Sequence, residues 1–446
     1  MKVISMGPAS YIPEAKTILS MATSGDLFKE PEDVETIGDY KIVPWGDGNT
    51  LPADVLAKIE KSEVVGANLE FNVNAGYGMG IKPMRRIVEN NKIAGYEEVL
   101  DDDKILEFFE DNDLSGYFLE QLTDLKAFYN VFPEIILSAD KKKIVSLRSK
   151  EAVFSRWGEM DQKLGRIMKH YYSAKWGDSP KKEEIVVTDV LDRFNPLLDL
   201  QEILKDRKVK EPRFIVPINF PTPGRTYYQR AYWWSIFLSG WYDFSQQIPL
   251  FKTTKLKHAL GVKKIIYISP KYFQSIFQEE GIDPNDKEAT ASRIDKEHSN
   301  FNEFLTGSEN IGKAIVAIKE MIHSGSGAKE EKYIEIVDVD SKVEGGDYIE
   351  DSEEASNIIS YAMGVHPSLI GSVPGKNKGS FSGTDKRELF QIKQALMKPV
   401  RDRLLRPLTL IKRFNNWDKN IVFAVPDFEF TTLDENKTGK EEVVSE

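Results

Sequence analysis

The sequence predicts an α+β chain of two or three domains, and three observations carry that reading. Residues 131–148 and 167–173 alternate apolar and polar side chains like half-buried strands, residues 51–73 and 107–130 repeat at helical spacing, and there is no βαβ rhythm. Pro217, Pro221 and Pro223-Gly224 punctuate the middle of the chain. After them the pattern turns to long helices around a compact α/β module, and 446 residues are enough to give each part its own core.

Residues 1–38 show little periodicity and read as a loosely ordered arm, followed by the turn cluster Pro44-Trp45-Gly46-Asp47-Gly48-Asn49. In the helix expected over 51–73, Leu56, Ile59, Val64, Ala67 and Phe71 fall near helical spacing, and a short strand is expected over 185–190. Residues 226–259 form a helical pattern dense in Tyr227, Tyr228, Tyr232, Trp233, Trp234, Phe237, Trp241, Tyr242 and Phe244. An aromatic stripe at that spacing is ordinarily core, and Pro249 should break or kink the helix near its end. A strand over 262–268, helices over 270–278 and 287–305, and strands over 313–319 and 333–339 joined through Ser324-Gly325-Ser326-Gly327 make the module.

An acidic linker over 344–354 leads into a helix over 353–363, with Asp351 or Ser352 as N-cap and Gly364-Val365-His366-Pro367 as its stop. The loop from Gly371 to Gly383 is rich in Gly, Ser and Lys. One long helix over 384–414 follows, with Leu389, Leu396, Val400, Leu404, Leu408 and Ile411 on one face and bends at Pro399 and Pro407. A strand over 421–432 and a charged, disordered tail over 434–446 close the chain.

Composition excludes whole classes. With 41% hydrophobic and 11% aromatic residues the chain is globular. It has no cysteine, so disulfide scaffolds, zinc–cysteine sites and thiol chemistry are out, which suits a reducing cytoplasm. Met1 leads into a polar stretch without an apolar h-region, so no signal peptide is expected. The most apolar segment, residues 231–242, is too short for a span of about 20 residues.

A net charge of −11 argues against a protein that coats DNA. The charge is uneven, however. Residues 97–113 hold nine acids against Lys104, residues 252–264 five lysines and no acid, and residues 386–413 nine bases against Glu388 and Asp402. Such runs are commonly solvated faces, but basic runs inside an acidic protein favour local contact with an anion.

No catalytic constellation emerges. The histidines (His170, His258, His298, His323, His366) are scattered, and neither H-E-x-x-H nor G-x-S-x-G occurs. Asp101-Asp102-Asp103 reads as a solvated helix start ahead of a hard-cation site. The Gly371 loop fails as a phosphate-binding P-loop, because only three residues separate Gly371 from Gly375, Lys376 precedes Asn377, and a helix leads into it. The expectation is a non-enzyme without metal or cofactor.

The order of elements resembles the portal (head-to-tail connector) proteins of tailed bacteriophages, from about Trp45 to Asp434 and most closely after residue 217. Three motifs carry it. Phe304 to Lys313, with Asn310-Ile311-Gly312-Lys313 before Ala314-Ile315-Val316, looks like the family's entry to a clip strand; Ile358 to Gly371 is similar to its signature of a helix, then a small-apolar–Gly–Val–Pro–Pro-like turn, then Leu–x–Gly; and Leu396-Met397-Lys398-Pro399, then Leu404 to Leu410, resembles its later channel helix.

The resemblance implies a wing with an N-terminal arm (1–225), a first stem helix (226–259), a clip (260–340), a linker and second stem helix (341–370), a tunnel loop (371–383), a long channel helix (384–414) and a final wing strand (415–432), with residues 433–446 disordered. It also implies a closed homo-oligomeric ring, twelve-fold in mature virions, at one capsid vertex. Double-stranded DNA passes through such a ring during packaging and ejection; terminase and head-completion adaptors dock at its clip, and capsid or scaffold protein surrounds it. Assembly would take place in the host cytoplasm.

In that reading Lys376 and Lys378 are the loop's phosphate contacts, with Asn377 and Ser380 beside them and Lys386 and Arg387 behind, while Phe381 either wedges against a groove or folds back on the stem. Lys263, Lys264, Asn310 and Lys313 fall at the clip, the surface for terminase or adaptor. The bases further along the long helix pair with acidic neighbours across subunits or face DNA. Many portal proteins continue into crown helices; here residues 433–446 are all that follow, so crown contacts are not carried over. Two other classes stay open: a non-viral ring or shell scaffold that passes no DNA, and a nucleic-acid-processing enzyme with an unrecognised site.

Overall fold

The computed structural model describes residues 4–6, 9–12, 17–20, 34–90, 92–205, 211–259, 264–306, 319–324, 327–332, 334–338, 349–370 and 383–428. The helices are α1 (Leu51–Glu60), α2 (Glu63–Tyr77), α3 (Asp103–Asp111), α4 (Leu114–Phe128), α5 (Pro196–Lys205), α6 (Ser235–Leu238), α7 (Trp241–Ala259), α8 (Pro270–Glu280), α9 (Lys287–Thr306), α10 (Ile349–Ala362), α11 (Pro367–Ile370), α12 (Gly383–Leu404) and α13 (Arg406–Phe414). The chain divides into two compact units, Gln247–Tyr348 and the remainder.

In the larger unit eight strands form one sheet, in the order Ile144–Arg148, Glu134–Leu137, Arg213–Ile215, Val186–Val190, Lys169–Tyr172, Ser155–Gly158, Tyr40–Val43 and Glu35–Ile37. Its register is antiparallel except between Val186–Val190 and Arg213–Ile215, which run parallel with α5 between them. A single βαβ crossover therefore exists where none was expected; its helix is only 10 residues long, too short to set up a visible rhythm. The small mixed sheets expected in the first half are largely one sheet. Lys82–Glu89 pairs with Lys92–Glu98 and with Ile421–Ala424, which brings the last described strand back to the first quarter of the chain.

The N-terminal arm also departs from expectation. Ile4–Met6, Ala9–Ile12 and Thr17–Ser20 pair as three antiparallel strands, and Glu35–Ile37 joins the large sheet, segments too short for alternation to register.

Three expected helices are each two. The 51–73 helix breaks at Ser62, whose Oγ accepts from Val65 N (3.3 Å) and so starts α2 with its own cap. The 107–130 helix breaks at Asp113, in the left-handed region (φ +39°), whose carboxylate accepts from Gly116 N (3.1 Å). The 384–414 helix breaks at Leu405. Pro407 then sits in the first turn of α13, where its missing N–H is no loss, while Pro399 lies inside an unbroken α12. Pro249 likewise sits within α7 without ending it.

The aromatic segment is core, as its composition suggests, but it is helical only in part. Residues before Tyr232 are extended or irregular, and Gly240 (φ +83°) separates α6 from α7. Its buried rings tie distant backbone together through their polar ends. Tyr228 Oη accepts from Trp157 N (2.8 Å) and donates to Val43 O (2.7 Å), and the indoles of Trp233 and Trp234 donate to Lys126 O and Ala127 O (both 3.0 Å). Tyr232 and Phe244 remain exposed.

The turn cluster at 44–49 is held by Arg156, which is 1% exposed. Its guanidinium donates to Asn49 Oδ1 and O, Val153 O and Ser155 O, and lies near Trp45 and Trp176 (5.8 and 5.3 Å from the ring centroids).

In the smaller unit α8 and α9 pack through Tyr272, Phe273, Phe277 and Phe301, and Arg293 joins Glu280 and Glu297 (both 2.8 Å). Lys264–Ile268 pairs with Ile334–Asp338, and the hairpin runs from Lys319–Ser324 to Gly327–Lys332. The hairpin strands thus lie on either side of Gly325-Ser326, closer in sequence than the expected 313–319 and 333–339. Residues 313–318, 339–348 and 371–382 lie outside the described residues.

Asp124, on α4, accepts from Ala152 N (2.8 Å), and burial, with Glu151 and Glu120 adding repulsion, pushes its pKa up to about 7. Folding therefore disfavours its charged form, and stability should fall as pH rises from about 4 to about 7. D124N keeps the acceptor without the charge. It is expected to unfold at higher denaturant than wild type at pH 8, by on the order of 1 kcal/mol, and to match wild type at pH 4; equal midpoints at pH 8 would sink the assignment.

Candidate nucleic-acid interface

The residues predicted to meet a polyanion divide sharply. Lys376, Asn377, Lys378, Ser380 and Phe381, and Lys263, Asn310 and Lys313, lie outside the described residues. Lys264 opens the strand Lys264–Ile268, its side chain undescribed. Lys386 is exposed and Arg387 half-buried, both in the opening turns of α12. Neither makes an ion pair or hydrogen bond among the described residues. A cation there sits at the positive end of the helix dipole, where it costs a few tenths of a kcal/mol to about 1 kcal/mol.

Several bases further along are engaged within the chain. α12 packs on α2 and α4, and Gly76 near the end of α2 lies in that contact: a Cβ there would lie 2.7 Å from Met397 Cε and 2.9 Å from Leu122 Cδ2. Arg401, 5% exposed, donates from Nε to Gly76 O (2.8 Å) and from Nη2 to Ala75 O (3.0 Å), and pairs with Asp427. It thereby satisfies two carbonyls at the C-terminal end of α2, where the dipole favours a cation.

Lys393, 8% exposed, donates to Gly364 O (2.8 Å) at the end of α10. Burial, with the neighbouring Lys126 ammonium, lowers its pKa to about 8. Gly364 (φ +65°) closes α10 in a Schellman turn, Gly364 N to Tyr361 O (3.0 Å) and Val365 N to Ser360 O (2.9 Å). The stop was foreseen in sequence, but α10 starts at Ile349, so Asp351 and Ser352 lie inside its first turn and neither is the N-cap.

Lys398 pairs with Asp402 one turn on (2.9 Å), Arg406 donates to Arg193 O (2.8 Å), and Lys412 donates to Ile421 O (2.6 Å). The buried face of α12 consequently runs through Lys393, Gln394, Met397, Val400, Arg401 and Leu404. Leu396, placed on that face by the sequence pattern, is 67% exposed beside Ile392 at 57%. Apolar periodicity missed the register because long basic stems fill part of the buried face.

Among the described residues no group of acids and histidines is arranged to hold a metal ion. Asp101 is engaged with Arg85 (2.7 Å). His170 is fully buried against Phe132 and Trp157; burial, reinforced by Lys150 and Arg156, pushes its pKa down to about 3, so it is neutral. No described helix is long and apolar enough to cross a membrane.

No protein-family model matches the chain, and no curated protein matches it in sequence. Solved structures match in fold. A chain of the neck of the native gene transfer agent particle, computed with C12 symmetry, is similar at TM-score 0.53 and 13% identity over 86% of both chains. A chain of the native gene transfer agent virion gives 0.51 and 11% over 83% of both. A chain of the neck of the empty particle, computed with C6 symmetry, gives 0.52 and 11% over 86% of this chain and 85% of that one. The α+β architecture expected from the sequence is thus the fold of neck and virion chains of a phage-like particle, and the resemblance to head-to-tail connectors holds at the level of fold.

Arg401→Met leaves two helix-end carbonyls and Asp427 without their partner and should cost about 3–5 kcal/mol in chemical denaturation. The double variant K386A/R387A should stay within about 0.5 kcal/mol of wild type. A reversed order would refute the division between internal and outward-facing bases.

Proposed function

We propose that this chain is a portal subunit: a non-enzymatic protein that closes into a ring, twelve-fold in the particle, at one capsid vertex and forms the channel for double-stranded DNA in packaging and ejection. What carries the proposal is the fold shared over 86% of this chain with a particle-neck chain computed with C12 symmetry. In this role Lys376 and Lys378, with Asn377, Ser380 and Phe381 beside them and Lys386 and Arg387 behind, meet the DNA. Lys263, Lys264, Asn310 and Lys313 serve the surface that receives terminase and later the head-completion adaptor; capsid or scaffold protein surrounds the wing, and the assembled protein resides in the virion.

The charge distribution favours this role over static DNA binding. DNA carries one negative charge per about 1.7 Å of axis, and a strongly basic channel would hold it fast. An overall charge of −11, with bases such as Lys393 and Arg401 occupied internally, leaves few contacts to be made and remade.

Class averages of the purified full-length protein by negative-stain electron microscopy should show rings with an open axial channel. A monomer or dimer at every salt and protein concentration would remove the ring. Rings that package DNA equally well after K376A/K378A/K386A/R387A would leave a scaffold without the proposed DNA contacts.

A further inference from the structure

A second basic constellation lies away from the start of α12. α5 packs against α13, and there Arg193, in the loop ahead of α5, meets Arg406 at the start of α13 and feels the charge of Arg403, three residues earlier at the end of α12. Arg406 Nη2 donates to Arg193 O (2.8 Å), Arg193 Nη2 donates to Asn219 Oδ1 (2.9 Å), and Arg403 has no hydrogen-bond partner among the described residues. All three are half-buried.

No carboxylate balances them among the described residues. The acids beside them in sequence are engaged elsewhere: Asp192 accepts from Phe194 N and Asn195 N (both 3.2 Å), Asp199 pairs with Arg166 (2.7 Å) and accepts from Asp192 N (2.8 Å), and Asp402 pairs with Lys398 (2.9 Å). Burial lowers the pKa of Arg193, and Arg403 and Arg406 lower it further.

Each guanidinium has five N–H donors in a planar fork. Arg193 and Arg406 each spend one on the partners named above, so most of the donors are unspent. Arg193 also lies over the ring of Phe194 (5.9 Å), and that ring is 72% exposed. Neighbouring guanidiniums without a carboxylate partner among the described residues, beside an exposed aromatic face, match the chemistry of a phosphate group.

We propose that Arg193, Arg403 and Arg406 form a binding site for a phosphate-type oxyanion, filled by free phosphate or by the phosphodiester of a DNA backbone. The site does not depend on the portal reading, since it requires neither a ring nor the loop ahead of α12.

The test uses the full-length protein and three variants. R403Q removes the fork that no internal bond needs, R403K keeps its charge without the fork, and R413Q changes an exposed arginine outside the cluster. Thermal unfolding in sodium phosphate against sodium chloride at matched ionic strength should show a higher midpoint in phosphate for wild type and R413Q, a smaller rise for R403K and none for R403Q. Anisotropy with a labelled DNA duplex across a salt series then identifies the source. A slope of log K against log salt that is shallower by about 0.9 in R403Q alone indicates a backbone phosphate; an unchanged slope with the phosphate effect lost indicates free phosphate. No phosphate shift in wild type, or the same shift in R403Q, overturns the site.

Discussion

The larger unit depends on a single constraint: carbonyls at the end of a helix buried in the core cannot reach water and must find donors from another element. α2 ends against α4 and α12, so close that a Cβ at Gly76 would press on the ends of Met397 and Leu122. The carbonyls of Ala75 and Gly76 are satisfied by Arg401, while Lys393 reaches Gly364 O, on an exposed residue just past the end of α10. Both donors come from α12. One helix thus caps the buried end of α2 and bonds the turn that closes α10, and hydrogen bonds as well as apolar contact hold it in place. A net backbone hydrogen bond is worth about 1 kcal/mol, whereas an orphaned buried carbonyl costs about 1–3 kcal/mol, so the requirement to satisfy these groups outweighs the modest gain from making each bond.

That constraint explains what the sequence revealed and what it hid. Alternation and helical spacing located most elements, and the Gly364 stop was visible because a left-handed residue after a helix has a strong residue preference. The split of long helices at Ser62 and Asp113 was missed although both residues are good caps, because apolar periodicity continues across each break. The large sheet was hidden for a different reason. Its pairs join strands far apart in sequence, such as Tyr40–Val43 with Ser155–Gly158, and no local pattern records a partner.

The basic run at 386–413 shows why charge read along a chain misleads about a surface. Read linearly it is a cationic stripe; in the fold Lys393, Arg401, Arg406 and Lys412 face carbonyls, and Lys398 faces Asp402. The sequence-level alternatives for these bases, DNA or an acidic neighbour in another subunit, both leave out the backbone of the same chain. A helix-end carbonyl leaves no signature in the sequence that a distant lysine or arginine could be matched to.

Charge consumed inside the fold is unavailable outside it, and this bears on the proposed role. Of the basic run, Lys386 and Arg387 have no partner among the described residues at the start of α12, directly after the segment that carries Lys376 and Lys378 in sequence. They sit where the helix dipole opposes a cation, so helix stability does not account for their presence. Internal capping accounts for the middle of the run, and contact with an anion remains the simplest physical reason for its beginning. Arg403 is the exception in the other direction, since it lies in the same run, half-buried, with no carbonyl or carboxylate partner among the described residues. An arginine without an internal bond beside two others is a standing electrostatic cost, and an oxyanion from outside the chain is the group whose charge and geometry offset it.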